Sequence, residues 1–202
     1  MNKHQSGFTL VEIAIVLVII GLLLGGVLKG QEMIANAKFK NLQSDVQSYA
    51  AAIYSFQDRF GALPGDMTTA AARTQVNPAA RGGNGNGRVD GNTCATAAEE
   101  SCRLWQQLRY ANLISGDPTQ QGANANPNHA YGGRVQGAYS GTHGTRTGIW
   151  VALENVPGDV AARLDRELDD GVGGTGTVFC AGGCAGGNYP ATGVFVQLRV
   201  MI

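Results

Sequence analysis

The sequence is poor in charge and, over its first third, in proline. Only 15% of its 202 residues are charged, and 15 basic residues balance 15 acidic ones. A chain without net charge is a poor candidate for binding a polyanion by bulk electrostatics, so no nucleic-acid partner is expected. No proline occurs before Pro64, so none interrupts a helix in the first 63 residues.

Histidine is also scarce, which leaves little for acid–base chemistry. Of the three, His4 lies near the N-terminus, and His129 and His143 fall in Gly- and Asn-rich segments that predict loops. Neither of these two stands in a motif with a Ser or Cys nucleophile. The 30 glycines are scattered rather than grouped into a phosphate-binding loop with its lysine. The sequence therefore predicts that the protein is not an enzyme.

The longest feature that is present is an apolar run near the N-terminus. Phe8 to Leu28 is 21 residues long and holds one charged residue, Glu12. A helix of about 20 apolar residues spans a bilayer core, whereas a cleaved secretory signal has a shorter run followed by its cleavage site. Lys3 and His4 precede the run, so the N-terminus should stay cytoplasmic and the rest should face the periplasm or exterior.

Glu12 is anomalous within this run. A carboxylate at the centre of a membrane span costs about 2.5–3.5 kcal/mol, and less near the interface. Two interpretations remain open from the residues alone. The carboxylate of Glu12 lies shallow enough to stay hydrated, or it pairs with a charge on another chain.

The residues around Glu12 match a known pattern. Gly7-Phe8-Thr9-Leu10-Val11-Glu12, after a short basic leader, resembles the signature of type IV pilins and of the pseudopilins of type II secretion. The resemblance implies that a prepilin peptidase cuts between Gly7 and Phe8 and methylates the new amino group of Phe8. It also implies that Glu12 neutralises the Phe8 amine of a neighbouring subunit in a filament, where an unpaired charge would be costly.

The resemblance also sets expectations for organisation. Residues 1–7 would be a leader peptide, 8–28 a transmembrane and filament-core helix, 29–60 the amphipathic half of the same helix, and 61–202 a globular head. The expected partners are other pilin or pseudopilin subunits, prepilin peptidase, an inner-membrane assembly platform and, before assembly, the lipid bilayer. The expected location is the bacterial inner membrane with a periplasmic head, and later a pilus or a periplasmic pseudopilus.

The pattern after Lys29 is amphipathic. Apolar residues recur at alternating spacings of three and four, which predicts a helix with a narrow buried stripe. They are Phe39, Leu42, Val46, Tyr49, Ile53, Phe56 and Phe60. One helix from Phe8 to about Phe60 is expected, ended by the turn residues that begin at Gly61.

The remainder of the chain predicts a small mixed head. Two long loops are expected, Met67–Thr93 and Gly116–Gly148, and two helices, Ala98–Ala111 with Trp105 in the core and Pro157–Leu168. Strands are expected at Gly148–Leu153, Thr177–Cys180 and Gly193–Val200. The predicted fold class is α+β and pilin-like: a long N-terminal α-helix packed on a small antiparallel β-sheet head with Gly-rich loops.

The four cysteines form two close pairs in sequence, Cys94 with Cys102 and Cys180 with Cys184. An even number in an exported chain indicates disulfides in an oxidising compartment. Four cysteines allow three connectivities, of which the two local pairs are favoured. A zinc site of all four thiolates is the alternative, although the usual two-residue spacings are missing.

Two segments are weak candidates for calcium, and no other cofactor is expected. Asn84, Asn86 and Asp90 offer oxygens at alternate positions, but Arg88 stands where a ligand is needed, which favours an ordinary Asn-Gly turn cluster. Asp169 and Asp170 form the second candidate, because some pseudopilins bind calcium in this part of the head. The alternative for that pair is a helix end and turn.

Three functions remain open at this point. The first is a type IV pilus subunit, major or minor, and the second is a pseudopilin of type II secretion. The third is a membrane-anchored head that binds a ligand or metal. The larger head and the two local cysteine pairs favour a pilus subunit. The gap between Cys180 and Cys184 is shorter than in the usual C-terminal pilin disulfide, which puts a major-pilin role in question.

Overall fold

A computed structural model describes residues 9–91, 94–190 and 193–202. The chain divides into two compact units, Met1–Lys40 and Asn41–Ile202. Helix α1, Leu10–Phe60, contributes to both units. The predicted cleavage site, Gly7 and Phe8, lies outside the described residues.

Helix α1 continues for 51 residues, as the absence of proline predicts. Glu12 lies in its first turn and Arg59 in its last, so the charge at each end suits the helix dipole. Gly61 follows the last helical residue with φ +68°, and its N–H donates to the carbonyl of Gln57 over 2.8 Å. A left-handed glycine in this position is a common helix stop.

The unit Asn41–Ile202 contains a four-stranded antiparallel sheet in the order β1-β2-β4-β3. The strands are β1 Val135–His143, β2 Arg146–Pro157, β3 Val178–Gly182 and β4 Phe195–Met201. β1 and β2 are neighbours in sequence, and helix α4, Gly158–Leu168, follows β2. A small antiparallel sheet with a long N-terminal helix is the α+β, pilin-like architecture that the sequence predicts.

The two faces of the sheet differ in composition. One face is apolar and buried, and its residues include Ala138, Val151, Leu153, Leu198 and Val200. The opposite face, called the second sheet face below, carries Tyr139, Trp150, Phe179, Arg199 and Met201. On that face Trp150 pairs with Tyr139 on β1 and with Met201 on β4.

The core of the head includes the apolar stripe of α1 from residue 42 onward. The buried residues of this stripe are Leu42, Val46, Ile53 and Phe56. Trp105, in helix α3, Glu100–Tyr110, is fully buried and meets the ring of Tyr49 edge-on with 5.0 Å between centroids. The predicted core position of Trp105 is confirmed, and truncating a buried Trp costs about 3–5 kcal/mol.

The prediction of a loop from Gly116 to Gly148 is wrong. Strand β1 and the first residues of β2 fall in this segment, and a 3₁₀ turn covers Gly122–Ala125. The sequence of β1, VQGAYSGTH, contains two glycines and few β-branched residues, so its own strand propensity is low. It becomes a strand because β2 pairs with it.

Over its described residues, 67–91, the segment predicted as a surface loop from Met67 to Thr93 is more ordered than the sequence predicts. Helix α2, Thr69–Ala71, continues into a π-helical turn, Ala72–Val76. Four apolar side chains of the segment are buried, those of Met67, Ala72, Ala80 and Val89. They are mostly small and show no helical or strand period, so no pattern in the sequence indicates their burial.

The other predicted elements are present with shifted ends. The two helices of the head are α3 and α4, against predictions of Ala98–Ala111 and Pro157–Leu168. The last two strands are β3 and β4, against predictions of Thr177–Cys180 and Gly193–Val200. Such shifts are usual because terminal residues lack some of the backbone hydrogen bonds that interior residues make, so the ends of an element are less sharply defined.

Candidate functional site

Thr9 and Glu12 cap the N-terminus of α1 reciprocally. Glu12 Oε2 accepts hydrogen bonds from the Thr9 backbone N–H over 2.8 Å and from the Thr9 hydroxyl over 2.7 Å. Thr9 Oγ1 in turn accepts from the Glu12 N–H over 3.3 Å. This is a capping box, which satisfies N–H groups that have no partner inside the helix. Sequence reasoning missed it, although the spacing Thr-x-x-Glu is its known signal.

The apolar run behind this cap is exposed in the unit Met1–Lys40. Its large apolar side chains between Leu10 and Leu28 are 46% to 87% exposed. Helix α1 holds an 18-residue window with a mean hydropathy of 2.8, none of it buried, and is long and apolar enough to cross a membrane. An exposed apolar surface of this extent needs lipid or other apolar helices around it.

Four glycines within or next to this run have no packing role among the described residues. A Cβ added at Gly21, Gly25, Gly26 or Gly30 would meet nothing within 4 Å. Glycine costs about 1 kcal/mol relative to alanine in a helix interior. These positions therefore loosen α1 without a compensating contact within the chain.

The structure brings together the first calcium candidate, Asn84, Asn86 and Asp90. The Nδ2 groups of both asparagines donate to Asp90 Oδ2, over 2.9 and 3.0 Å. Asn84 Oδ1 accepts from the Asn86 N–H and Asn86 Oδ1 from the Arg88 N–H, each over 2.9 Å. These are Asx turns. The observed geometry is that of the turn cluster named as the alternative, and metal binding here stays a prediction.

Two buried carboxylates hold this loop, and sequence reasoning missed both. Asp66 accepts from the N–H groups of Asn86 and Gly87, each over 2.9 Å. Glu100 accepts from the N–H groups of Asn84 and Asp90, over 2.8 and 2.9 Å. Asp66 is 3% exposed and Glu100 is 5% exposed, and charged acceptors make strong hydrogen bonds with backbone donors.

The second calcium candidate gains a third carboxylate in the structure. The oxygens of Asp169, Asp170 and the buried Asp165 lie within 4.8 Å of one another. Each of the three also accepts hydrogen bonds from residues 171–189. Burial raises the pKa of Asp165, whereas hydrogen bonds, chiefly from the Thr175 hydroxyl, lower the pKa of Asp170.

The N-terminal segment also matches a known family model. Residues 2–28 match the model described as the prokaryotic N-terminal methylation motif. The chain carries the N-terminal signature of type IV pilins and pseudopilins. The match ends at residue 28, before the amphipathic half of α1 and the head. No curated protein and no solved structure gives a significant match to this chain.

The pilin signature includes both residues of the capping box. Thr9 and Glu12 lie within residues 2–28, as do Gly7 and Phe8, whose structure is not described. Three glycines without a packing role, Gly21, Gly25 and Gly26, lie within the same match. The pilin signature therefore contains both the cap of α1 and three of its four loosely placed glycines.

The four cysteines of this pilin-like chain form two disulfides, Cys94–Cys102 and Cys180–Cys184. The favoured local pairing is confirmed. The zinc site of four thiolates is excluded because each sulfur is bonded to one other sulfur in a disulfide. Cys94 and Cys102 are 2% and 3% exposed, so the first disulfide belongs to the core.

The rings of the two histidines of the head, His129 and His143, are hydrogen-bonded to neighbouring residues of the fold. His129 is buried; its Nε2 donates to the carbonyl of Glu154 over 2.7 Å, and its Nδ1 accepts from the N–H of Tyr131 over 3.3 Å. His143 ends strand β1, so the prediction that places it in a loop is wrong. Neither ring hydrogen-bonds a Ser or Cys in the part of the chain that is described.

Proposed function

We propose that this chain is a prepilin, a structural subunit of a helical filament and not an enzyme. Prepilin peptidase would cut between Gly7 and Phe8 and methylate the Phe8 amine, and the mature chain would join a type IV pilus as a major or minor subunit. The observation that supports this most is the methylation motif at residues 2–28, which leads into a helix whose apolar side chains are exposed.

Glu12 would gain a second partner during assembly. Its carboxylate is held by Thr9 at the helix start, and in the filament it would also face the methylated Phe8 amine of a neighbouring subunit. An ion pair in an apolar filament core is strong, and breaking it leaves an uncompensated buried charge. The pair would therefore fix the axial register of neighbouring subunits.

The proposed route begins at the inner membrane. Residues 8–28 would hold the precursor in the bilayer with residues 1–7 in the cytoplasm, where the peptidase acts, and with the head in the periplasm. An assembly platform in the same membrane would then pass the helix from lipid to the filament core. Both surroundings are apolar, so the side chains of the run stay out of water throughout.

Mass spectrometry of the membrane and filament fractions tests the processing step. The mature chain should lack the first seven residues and carry one additional methyl group on Phe8. Gly7→Val should remain at the precursor mass, because a bulky residue blocks the cut, while Gly26→Ala should be processed like the native chain. A native chain that keeps its precursor mass would refute the proposal.

The pseudopilin of a type II secretion system is the alternative within the same signature. Deletion of the gene separates the two: loss of sheared surface filaments supports the pilus, and loss of exoprotein secretion supports the pseudopilus. A membrane-anchored ligand- or metal-binding head is the alternative from another class. It requires that the chain never enters a filament and that its melting temperature depends on a metal or ligand.

A further inference from the structure

Arg199 is a buried cation without a counter-ion among the residues that the structure describes. Its side chain lies on the second sheet face, and the residue is only 6% exposed. All 15 acidic residues lie in the described part of the chain, and the ion pairs found there are Lys29–Glu32 and Arg163–Glu167. Buried arginines are almost always paired, since removing the charge from water costs several kcal/mol.

The contacts of Arg199 leave part of its guanidinium available. Its Nε donates to the hydroxyl oxygen of Tyr139 over 3.0 Å, and its Nη1 donates to the carbonyl of Leu198 over 3.1 Å. Nη2 has no hydrogen-bond partner among the described residues. Guanidinium carries five donors in a planar fork that suits an oxyanion, and here the two N–H groups of Nη2 remain unused.

His143 extends this hydrogen-bond network, which links Arg199 to Tyr139, on the same sheet face. Its Nε2 is hydrogen-bonded to the Tyr139 hydroxyl. The Tyr139 oxygen accepts from Arg199, so its hydrogen can donate to His143, which places the ring hydrogen of a neutral His143 on Nδ1. The His143 ring also contacts the rings of Trp150 and Phe179, with centroids 5.0 and 5.1 Å away.

No acidic side chain among the described residues forms a hydrogen bond or an ion pair with Tyr139, His143 or Arg199. β1 supplies Tyr139 and His143, β2 supplies Trp150 and, opposite His143 in the register, Arg146, β3 supplies Phe179 and β4 supplies Arg199. Burial and the charge of Arg199 both lower the pKa of His143. An anion placed beside these two residues would offset the part of this lowering that comes from the charge of Arg199.

We propose that the second sheet face binds one oxyanion, a sulfate or carboxylate group, at Arg199 beside Tyr139 and His143. Arg199 supplies the permanent charge and the donors of Nη2. Protonation of His143 adds a second positive charge, so the affinity rises as the pH falls. Linkage requires the reverse effect as well: the bound anion raises the pKa of His143. This site is independent of the filament proposed above.

NMR titration of the full chain in detergent micelles tests the site. The ring Cε1–H signals of His143 and His129 are followed against pH in sodium sulfate and in sodium chloride at equal ionic strength. Sulfate should raise the pKa of His143 and leave that of His129 unchanged, because His129 has no arginine among its contacts. Binding of sulfate should be about fivefold tighter or more at pH 5.5 than at pH 7.5.

Two variants separate the roles within the cluster. Arg199→Gln should abolish the sulfate effect on His143, and His143→Gln should keep weak sulfate binding but lose its pH dependence. If Arg199→Gln fails to fold, the titration of the native chain in sulfate and in chloride still tests whether the site binds an oxyanion. Equal His143 pKa values in sulfate and chloride, or equal shifts of His143 and His129, would overturn the proposal.

A third arm with sodium acetate distinguishes the source of the oxyanion. A larger pKa shift in sulfate than in acetate points to sulfated groups, such as those of polysaccharides. A larger shift in acetate points to carboxylates, such as those of acidic sugars or of another protein chain. Either result supports the site, and the absence of a shift in both salts contradicts it.

Discussion

The hydroxyl of Tyr189 donates a hydrogen bond to Oδ2 of the buried Asp165 over 2.7 Å. Burial raises the pKa of Asp165, and this hydrogen bond partly offsets the rise. In Tyr189→Phe the carboxylate keeps the Gly171 N–H but loses the Tyr189 hydroxyl as a donor, so we expect a loss of about 1–3 kcal/mol in the free energy of unfolding at pH 7.

The loss in Tyr189→Phe should depend on pH. An aspartate with a raised pKa destabilises the fold while it is charged, and the penalty disappears as the pH falls through the folded pKa toward 3.8. The variant should therefore approach the native stability near pH 4. Urea unfolding at pH 7 and pH 4 measures this, with Tyr54→Phe as the control because Tyr54 is half exposed. A loss that is equal at both pH values contradicts the assignment.

The head should lose stability as the pH falls below about 6.5 because of His129. Burial lowers the pKa of His129, and its Nδ1 accepts a hydrogen bond that the protonated ring cannot accept. Between the folded pKa and 6.5 the unfolded chain binds more protons, so the free energy of unfolding decreases with decreasing pH. Below the folded pKa the decrease ends.

A pH series of urea unfolding checks the role of His129. His129→Gln should flatten the slope below pH 6.5, because an amide can donate to the Glu154 carbonyl without titrating. His143→Gln is measured in parallel, since burial and Arg199 lower the pKa of His143 too. An unchanged slope in His129→Gln would show that other groups cause the acid sensitivity.

The two disulfides should contribute unequally. Cys94–Cys102 is buried and closes a loop with a sequence separation of 8, whereas Cys180–Cys184 has a separation of 4. Replacing both Cys94 and Cys102 by alanine should cost about 2–4 kcal/mol, since the longer loop regains more chain entropy and the core loses packing. The matched double variant of Cys180 and Cys184 should cost less in the same urea titration, and the opposite order would contradict this reasoning.

Gly83 should not tolerate a side chain. An added Cβ would collide with the Gly65 carbonyl oxygen and with Glu100 Oε1, and would lie 2.7 Å from Asp66 Cα. Two of these three neighbours are backbone, so Gly83→Ala should lose about 1–3 kcal/mol through overpacking. Gly174→Ala is the control, because its Cβ would meet only Gly187, at 3.6 Å. Thermal unfolding compares the two, and similar melting temperatures would contradict the prediction.

Glu12→Val should leave cleavage largely intact and impair filament assembly, since the Phe8 amine loses its partner. Thr9→Ala separates this effect from helix capping: it removes the Thr9 side chain from the capping box but keeps the carboxylate, so filaments should still form. Glu32→Val, which breaks an exposed pair with Lys29, is the matched control. Counting filaments by electron microscopy measures all three, and normal filaments from Glu12→Val would refute the neutralisation role.

The N-terminal third of the chain could be predicted because its signals are local. The length of α1 follows from the absence of proline before residue 64, and its end follows from Gly61. The methylation motif is also a local pattern, and residues 2–28 match its family model. The buried stripe from Leu42 was visible because a 3.6-residue period survives in the sequence whatever the helix packs against.

The interior of the head could be predicted only in part. The spacing of Val194, Val196, Leu198 and Val200 indicated β4, but β1 carries no comparable pattern and depends on β2 for its strand geometry. Asp66 and Glu100 looked like turn and helix-start residues in the sequence. Their role as buried acceptors arises only when the loop at Asn84 packs against α3, which carries Glu100, and against the turn that carries Asp66.

The sequence by itself determined the long helix, its apolar first half and the pilin signature, because each depends on residues within a few turns of one another. It left three disulfide connectivities open, and the tertiary structure decided between them by placing Cys94 beside Cys102. Only the tertiary structure assembled Arg199 with Tyr139, which stand 60 residues apart. Strand register decides which side chains share a face, and register is set by the packing of the whole sheet.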